Sequence, residues 1–510
     1  MSTMKHPNEN PSNSSKSRRF LRLTALFCCI LLSGCGAAET LPGAETLPSD
    51  NTPTETETEE AKPTSSVPLG TDLNGGTVRI YTAPTQDAAR PMFSAMETNG
   101  DVINDAVYRR NTDTEARLNV KLEFQEGNAA DVLTLIPKTV QAGDDAFDII
   151  ATAQYQVVKI LNTGVFLDTM DVPYIDVTKP WWAKAYIDAL NIGSDRRYFL
   201  TGDITLEFLR WITCTYFNKT VYQNFFESAD DLYQTVLDGK WTLDVVNEMT
   251  RAVYADLNQN NKTDKEDLLG CGVITAAVGD SLFYNAGGQC CVPGPDGMPQ
   301  LMPVTDRTVS IMEKLIDLYY NNPSCCLFAE TWDALNNEVT AKLASDQMLF
   351  MFGWLFSSDY LRDMKSDYGV IPIPKVDEAM EDYRALIHND VVVFALPATC
   401  TQTEAAGAVL EEMAFQGYLT TSPTYYEIVL KDKYLRDSSD TAAKMIDLIH
   451  DHAFTDTGYV YASQIADAGY MQRTLLGAKK KDIASQYAKI ETKAQTALSK
   501  LIEIYSGLES

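Results

Sequence analysis

From Thr77 onward the apolar positions change period in a regular way. Thr77 to Thr82 reads as a short strand bounded by Gly76 and Pro84. Asp101 to about Leu118 contains neither Pro nor Gly and places Ile103, Val107 and Arg110 on one helical face. Val120, Leu122 and Phe124 then alternate with polar residues, the period of a strand. Asp131 to Ala142 reads as a helix, closed by Gly143, because glycine takes the left-handed conformation that ends one. Phe147 to Thr152 is a buried strand, and Tyr155 to Asn162 a helix that stops at Gly164. This βαβαβ succession predicts a doubly wound α/β sheet. Ligands sit beyond the carboxyl ends of the strands in such sheets. Thr82 to Thr85 and Ala153 to Tyr155 therefore face a candidate site.

Helical periods dominate further along. Thr242 caps a helix through Leu243, Val246, Met249 and Val253, and Ile311, Leu315 and Leu318 mark another. Val391 to Leu396 is a buried strand ending at Pro397. The last helix repeats Ile483, Tyr487, Ile490, Ala494, Ala497, Leu501 and Tyr505 at three-to-four spacing, a core-facing stripe.

The N-terminus differs from this body. Lys16, Arg18, Arg19 and Arg22 precede an apolar run from Leu23 to Leu32. Some ten apolar residues are too few for a permanent span, and the layout is that of a secretory signal peptide. Leu32-Ser33-Gly34-Cys35 resembles the bacterial lipobox, which implies cleavage before Cys35 and a lipid on its sulfur. An acidic Thr/Glu/Pro/Ser segment follows, with Ala38-Glu39-Thr40-Leu41-Pro42 repeated at Ala44-Glu45-Thr46-Leu47-Pro48. Such a stretch cannot bury enough apolar area to offset its ordering entropy, so it reads as a disordered tether. The expected organisation is a leader at 1–34, the lipidated Cys35 with the linker at 35–74, and a body long enough for two or three domains.

Charge narrows the partners. The chain holds 42 Lys and Arg against 70 Asp and Glu. Without the leader's five bases and one acid, 37 face 69, a net charge of −32. That field repels nucleic acid and anionic lipid surfaces. Ten cysteines include Cys28 and Cys29 in the leader and Cys35. The other seven, Cys214, Cys271, Cys290, Cys291, Cys325, Cys326 and Cys400, cannot all pair within one chain. Buried free thiols are the simplest reading, with a disulfide between the two Cys-Cys regions as the alternative.

No catalytic signature emerges. GxSxG, HExxH, a P-loop and a Rossmann glycine fingerprint are all missing from the sequence. His388-Asn389-Asp390 is the one compact polar cluster with a histidine, and it fits a ligand contact or a strand cap as well as catalysis. The six tryptophans, Trp181, Trp182, Trp211, Trp241, Trp332 and Trp354, are more informative. Sugars stack apolar C–H faces on aromatic rings while their hydroxyls need carboxylate and amide partners.

Several segments, in order, resemble the family 1 extracellular solute-binding proteins of ABC importers, the maltose-binding-protein-like group. Thr201-Gly202-Asp203-Ile204-Thr205 leading to Tyr216-Phe217-Asn218-Lys219 resembles the family's crossover strand and its "YNK" box. Leu232-Tyr233 with Asp238-Gly239-Lys240-Trp241-Thr242, then Ala286-Gly287-Gly288, Phe350 to Trp354, Leu361 to Met364, Tyr368 to Lys375 and Pro423 to Asp437 continue the likeness across the body. The resemblance implies an α/β, two-lobe, periplasmic-binding-protein-like fold of class II, hinged around a central cleft. Lobe 1 would hold 75–203 plus 390–435 and lobe 2 204–389 plus 436–510, with crossings near Asp203 to Arg210, His388 to Leu396 and Leu430 to Asp440. By the same resemblance Gln154, Tyr155, Asp203, Asp280, and Asn389 or Asp390 would meet the ligand, and Trp211 and Trp354 would stack on sugar rings. Trp181-Trp182 has a counterpart in similar chains and would be structural. His388-Asn389-Asp390 departs from the Asn-Pro-Trp that similar chains often carry there. The implied function is a monomeric, lipid-anchored receptor on the outer face of a bacterial membrane. It would bind a carbohydrate, an oligosaccharide by expectation, and deliver it to the transmembrane subunits of a permease without a functional cofactor. A surface-anchored carbohydrate-active enzyme and a receptor for a non-sugar ligand such as a peptide are the alternatives.

One motif stands outside that scheme. In DLNQNNKTDKED, Asp256, Asn258, Asn260, Lys262 (through its carbonyl), Asp264 and Asp267 fall at positions one, three, five, seven, nine and twelve of a calcium loop. Asn261 replaces the usual glycine and tolerates the left-handed conformation. The aspartate at position twelve resembles dockerin-type loops. No second helix follows, so the expectation is a structural calcium ion that staples one loop, not a sensor.

Overall fold

In the computed structural model, nine strands build two sheets, and each sheet carries one end of a cleft. The described residues are 63–85, 91–193, 195–427 and 439–507, all within one compact unit, Pro63–Ser510. The leader, Cys35, the linker up to Lys62 and most of the third expected crossing lie outside them.

The first sheet contains β1 (Gly76–Ala83), β2 (Val120–Glu126), β3 (Ile149–Ala153) and, from far downstream, β9 (Val392–Ala395), in the order β9-β3-β1-β2. β1 pairs parallel with both β2 and β3, while β9 runs antiparallel to β3. The crossovers carry helices α1 (Val102–Leu118) and α2 (Val132–Gln141), and α3 (Gln154–Ile160) follows β3 directly. The Asp101 carboxylate caps α1 by accepting from the Ile103 and Asn104 amides, and Asn119 ends it with φ 48°. Helices cover both faces of a parallel sheet, so both faces are apolar. Val78 and Ile80 look into one core with Ile149, Val392 and Phe394, while Tyr81 and Ala83 look into the other with Ile150.

The second sheet contains β4 (Thr213–Asn218), β5 (Leu269–Val273), β6 (Cys325–Leu327), β7 (Met348–Trp354) and β8 (Tyr368–Ile371), in the order β8-β4-β7-β5-β6. β5 is parallel to β6 and β7, and β4 is antiparallel to β7 and β8. Thr242 accepts from the Val245 amide to start the helix Leu243–Val253. The chain leaves the first sheet between β3 and β4 and returns between β8 and β9.

Buried polar groups fix the layers around the first sheet. Glu411 accepts both indole N–H groups of Trp181 and Trp182, at 3.1 and 2.8 Å. Arg110, fully enclosed, donates to the carbonyls of Phe93 and Ile204 and to the Asn111 side chain. Gly417 packs so closely on the Asp203 carbonyl that no Cβ fits. All seven described cysteines are free and buried. Cys271 lies opposite Cys325 across the β5–β6 pair, whereas Cys290 and Cys291 lie against Asp456. The two Cys-Cys regions are therefore not bridged. No helix among the described residues is long and apolar enough to cross a membrane.

Candidate functional site

The carboxyl ends of β3, β5 and β6 converge on one cavity of about 280 Å³. β3 delivers Tyr155 at the start of α3, β5 delivers Ile274 to Ala277, and β6 delivers Glu330 to Leu335. His388, Asn389 and Asp390, the segment entering β9, form the floor, and Tyr470 and Arg473 close one side. The size lies at the low end of small-molecule sites, which span roughly 300–1,000 Å³.

The floor is fixed from both sheets. The Gln154 and Tyr155 amides donate to the carbonyls of Val391 and Asn389, at 2.9 and 3.1 Å. The His388 amide donates to the Trp211 carbonyl at 3.1 Å. His388 Nδ1 accepts from the Asp390 amide at 3.2 Å, so its proton sits on Nε2. Burial pushes the imidazole down to about 3, so it stays neutral. Asp390 has one hydroxyl partner, Thr85 Oγ1 at 2.9 Å, and burial pushes its carboxyl up to about 6. The imidazole thus offers no proton acceptor to the cavity through Nδ1.

A block of aromatic rings stands behind the floor. Trp211 stacks on His388 with centroids 5.0 Å apart and planes 24° apart. Trp332 meets Trp211, Trp354 and His388 edge-on at 5.2 to 5.4 Å. Trp211 and Trp354 are only 2% and 1% exposed, while Trp332 is half-buried and lines the cavity. Glu330 accepts from the Thr275 and Ala276 amides at 2.6 and 3.1 Å and so ties the two post-strand loops together.

On the closing side, α4 (Ala277–Asn285) carries Asp280 and α5 (Met471–Gly477) carries Arg473. Arg473 Nε reaches both Asp280 oxygens at 2.8 and 2.9 Å, and its Nη2 also bonds Asp280. Gln472 adds a third donor at 2.7 Å. Burial opposes the guanidinium charge, but Asp280 outweighs it and holds Arg473 protonated. The guanidinium lies 3.7 Å from the Tyr470 ring centroid, and the Tyr470 hydroxyl accepts from Asn389 Nδ2 at 2.7 Å.

Of the ligand contacts expected from sequence, Tyr155, Asn389 and Asp390 line the cavity. Asp280 stands behind Arg473. Gln154 is buried and donates to the Val460 carbonyl at 3.0 Å. Trp211 and Trp354 form the layer beneath Trp332. Asp203 sits elsewhere, bonded to Ser422 Oγ at 2.5 Å, and burial pushes its carboxyl up to about 7. Sequence reasoning missed Trp332, Glu330, Tyr470 and Arg473. The first two follow β6, and the rule of strand carboxyl ends would have found them had so short a strand been legible.

A second cavity, of about 350 Å³, lies against the hairpin at 291–301 and contains Arg384 stacked over Phe454 at 4.7 Å. The Cys290, Cys291 and Asp456 group beside it has metal-like spacing. Asp456, however, already accepts from the amides of Cys290, Cys291, Gly458 and Tyr459 at 2.7 to 3.3 Å. Its lone pairs are used, and the group reads as a cap for the hairpin and the following turn.

The loop at 256–267 joins the helix Leu243–Val253 to β5. Asp256 accepts from the Asn260 and Asn261 amides at 3.2 and 2.8 Å. Asn260 Oδ1 accepts from the Lys262 amide at 2.8 Å, and Asn260 Nδ2 reaches Asp264 at 2.6 Å. Asp267 is fully buried and accepts from the Leu257 and Asp264 amides. Asn261 has φ 57° at the sixth position, the conformation a calcium loop needs there. The donor set, carboxylate and amide oxygens, is of the kind a hard cation takes, although Asp256, Asp264 and Asp267 now accept N–H groups of the loop itself.

No family model matches the chain, and no curated relative matches it. Solved structures do. A UgpB from Mycobacterium tuberculosis in complex with glycerophosphocholine is 13% identical with TM-score 0.55, covering 84% of this chain and 100% of that one. An ABC transporter solute-binding protein from Thermotoga lettingae bound with α-D-tagatose is 13% identical with TM-score 0.53, covering 83% and 100%. The maltose/maltodextrin-binding domain MalE from Bdellovibrio bacteriovorus bound to maltotriose is 12% identical with TM-score 0.52, covering 84% and 100%. At this identity the likeness establishes the fold alone, two α/β lobes, and the cavity described above is lined from both sheets.

Proposed function

We propose that the chain is the substrate-binding lipoprotein of an ABC importer, binding a carbohydrate between its lobes and handing it to a membrane permease. The half-exposed indole of Trp332 beside Arg473, Asn389, Asp390 and Glu330 carries this reading. An aromatic face flanked by alternating donors and acceptors is what a sugar ring requires. Ligands of the fold neighbours, maltotriose and tagatose among them, support it. A His388 held neutral, with Nδ1 committed to backbone, favours binding over hydrolysis. The leader, the lipid on Cys35 and the acidic tether complete the reading as a monomeric receptor held outside the membrane, with lobes at 75–203 plus 390–435 and 204–389 plus 436–510.

A thermal-shift screen over mono- and oligosaccharides tests it: a stoichiometric binder with no product formed is expected, and turnover of a glycan would sink the proposal. Trp332→Ala is expected to weaken sugar affinity by about 1 kcal/mol or more, through lost stacking. An unchanged dissociation constant by calorimetry would remove Trp332 from the site.

Calcium belongs to this reading as a staple and not as a cofactor of transport. Asp256, Asn258, Asn260, Asp264 and Asp267 would hold it with side-chain oxygens and Lys262 with its carbonyl, and its binding energy would count as folding energy. Excess chelator is expected to lower the melting midpoint by several degrees, and added calcium to restore it. Identical midpoints in both conditions would refute the staple.

A further inference from the structure

We infer that the cleft selects uncharged sugars over acidic ones, and that the Asp280–Arg473 pair makes it so. The inference rests on the carbohydrate reading above and narrows its substrate class. The known contents of the fold do not decide the point, since one neighbour holds a phosphodiester and others hold neutral sugars.

Among the described residues Arg473 is the one cation on the cavity wall. A free guanidinium there would invite a carboxylate or phosphate, because its fork matches both. This one is already matched. Asp280, with no exposed surface, takes Nε and Nη2 together, so the pair presents hydrogen-bond donors without net charge. Nη1 has no partner among the described residues and remains free for a hydroxyl oxygen. Glu330 and Asp390 bring two further carboxylates to the wall. Lys159, 4.5 Å above the Tyr155 ring, offsets only one of them. His388 adds no charge. Glu207 also lies close enough to raise Asp390, so the described lining with its immediate backing is net negative, inside a chain whose whole field is negative. A hydroxylated ring satisfies these groups, whereas a uronate brings a carboxylate to a wall with no unspent cation among its described residues.

The test is calorimetric titration of the intact protein with matched probes: glucose and glucuronate, galactose and galacturonate, and the corresponding disaccharide pairs. Neutral members are expected to bind, with the uronate partner weaker by about tenfold or more at pH 7.5. Asp280→Asn is expected to narrow that gap by releasing the charge of Arg473. Glu330→Gln, whose single amide oxygen can keep the Thr275 amide bond but not the one to Ala276 as well, is expected to narrow it without disturbing the pair. A uronate that binds as tightly as its neutral partner overturns the inference alone. A gap that survives both substitutions overturns the assignment of selectivity to these charges. Silence across the whole panel overturns the carbohydrate reading, and the inference falls with it.

Discussion

Trp211→Ala should lower the unfolding free energy by about 3–5 kcal/mol. The indole is 2% exposed and touches Phe356 at 4.7 Å, His388 at 5.0 Å, Trp332 at 5.4 Å and Trp354 at 6.0 Å between centroids. These neighbours come from three separate stretches of chain and cannot collapse together into the space left. The cost has a second source. Trp211 Nε1 donates to Glu207 at 2.7 Å, and Glu207 is buried beside Arg210, itself bonded to Asp359 at 3.0 Å. Losing the indole leaves a buried carboxylate short of one donor. Sugar affinity should fall as well, because Trp332 and His388 lose the surface they lean on. Trp211→Phe, which keeps an aromatic ring and most of the volume but not the donor, should cost less than the alanine variant. Chemical denaturation of both variants checks this, and a loss below about 1 kcal/mol for alanine would show that the block is not a single packed unit.

Near pH 5 the stability of the fold should change through its buried carboxyls, Asp203, Asp390 and Asp456, all raised by burial, and the share of Asp390 can be isolated. Its carboxyl is buried, has one hydroxyl partner and moves from 3.8 to about 6 on folding. The folded state therefore binds this proton more tightly than the unfolded chain does. The contribution is complete below about pH 4 and lost by the time pH has risen through 6, a change on the order of 3 kcal/mol. Asp390→Asn keeps the shape and removes the titration. The variant should be more stable than the wild type at pH 7 and should approach it at pH 4. Parallel stability profiles for the two proteins would falsify the assignment.

The first sheet was legible because every one of its parallel strands is followed by a clean turn or helix start. Thr77–Thr82, Val120–Phe124 and Phe147–Thr152 predicted β1, β2 and β3 to within two residues or so at each end. The second sheet was much less legible. β5 reads Leu-Gly-Cys-Gly-Val and β6 is three residues, Cys325 to Leu327, so neither shows a period. Only their parallel pairing reveals them, and that is a long-range fact. The cleft divided in the same way. Tyr155, Asn389 and Asp390 were reachable because they flank legible strands. Trp332 and Glu330 hang from β6 and were not. Trp211 and Trp354 drew attention through their surroundings in the chain, but neighbours in sequence do not say which face of a ring is covered. Arg473 lies in a short helix with no periodic signal, and its meaning comes from Asp280, almost two hundred positions earlier.

The seven sheltered thiols give the molecule a built-in clock. A folded chain with every sulfur covered is silent to a thiol reagent, so each modification event times an opening of the element that hides it. Cys400 reports on the layer beside β9, Cys214 and Cys271 on the heart of the second sheet, and Cys290 and Cys291 on the hairpin. Equal labelling rates at Cys400 and Cys271 would mean that the two lobes come apart as one cooperative body, and unequal rates would rank them. In an oxidising medium the same clock runs against oxidation, and the speed of folding decides whether those sulfurs ever meet one another.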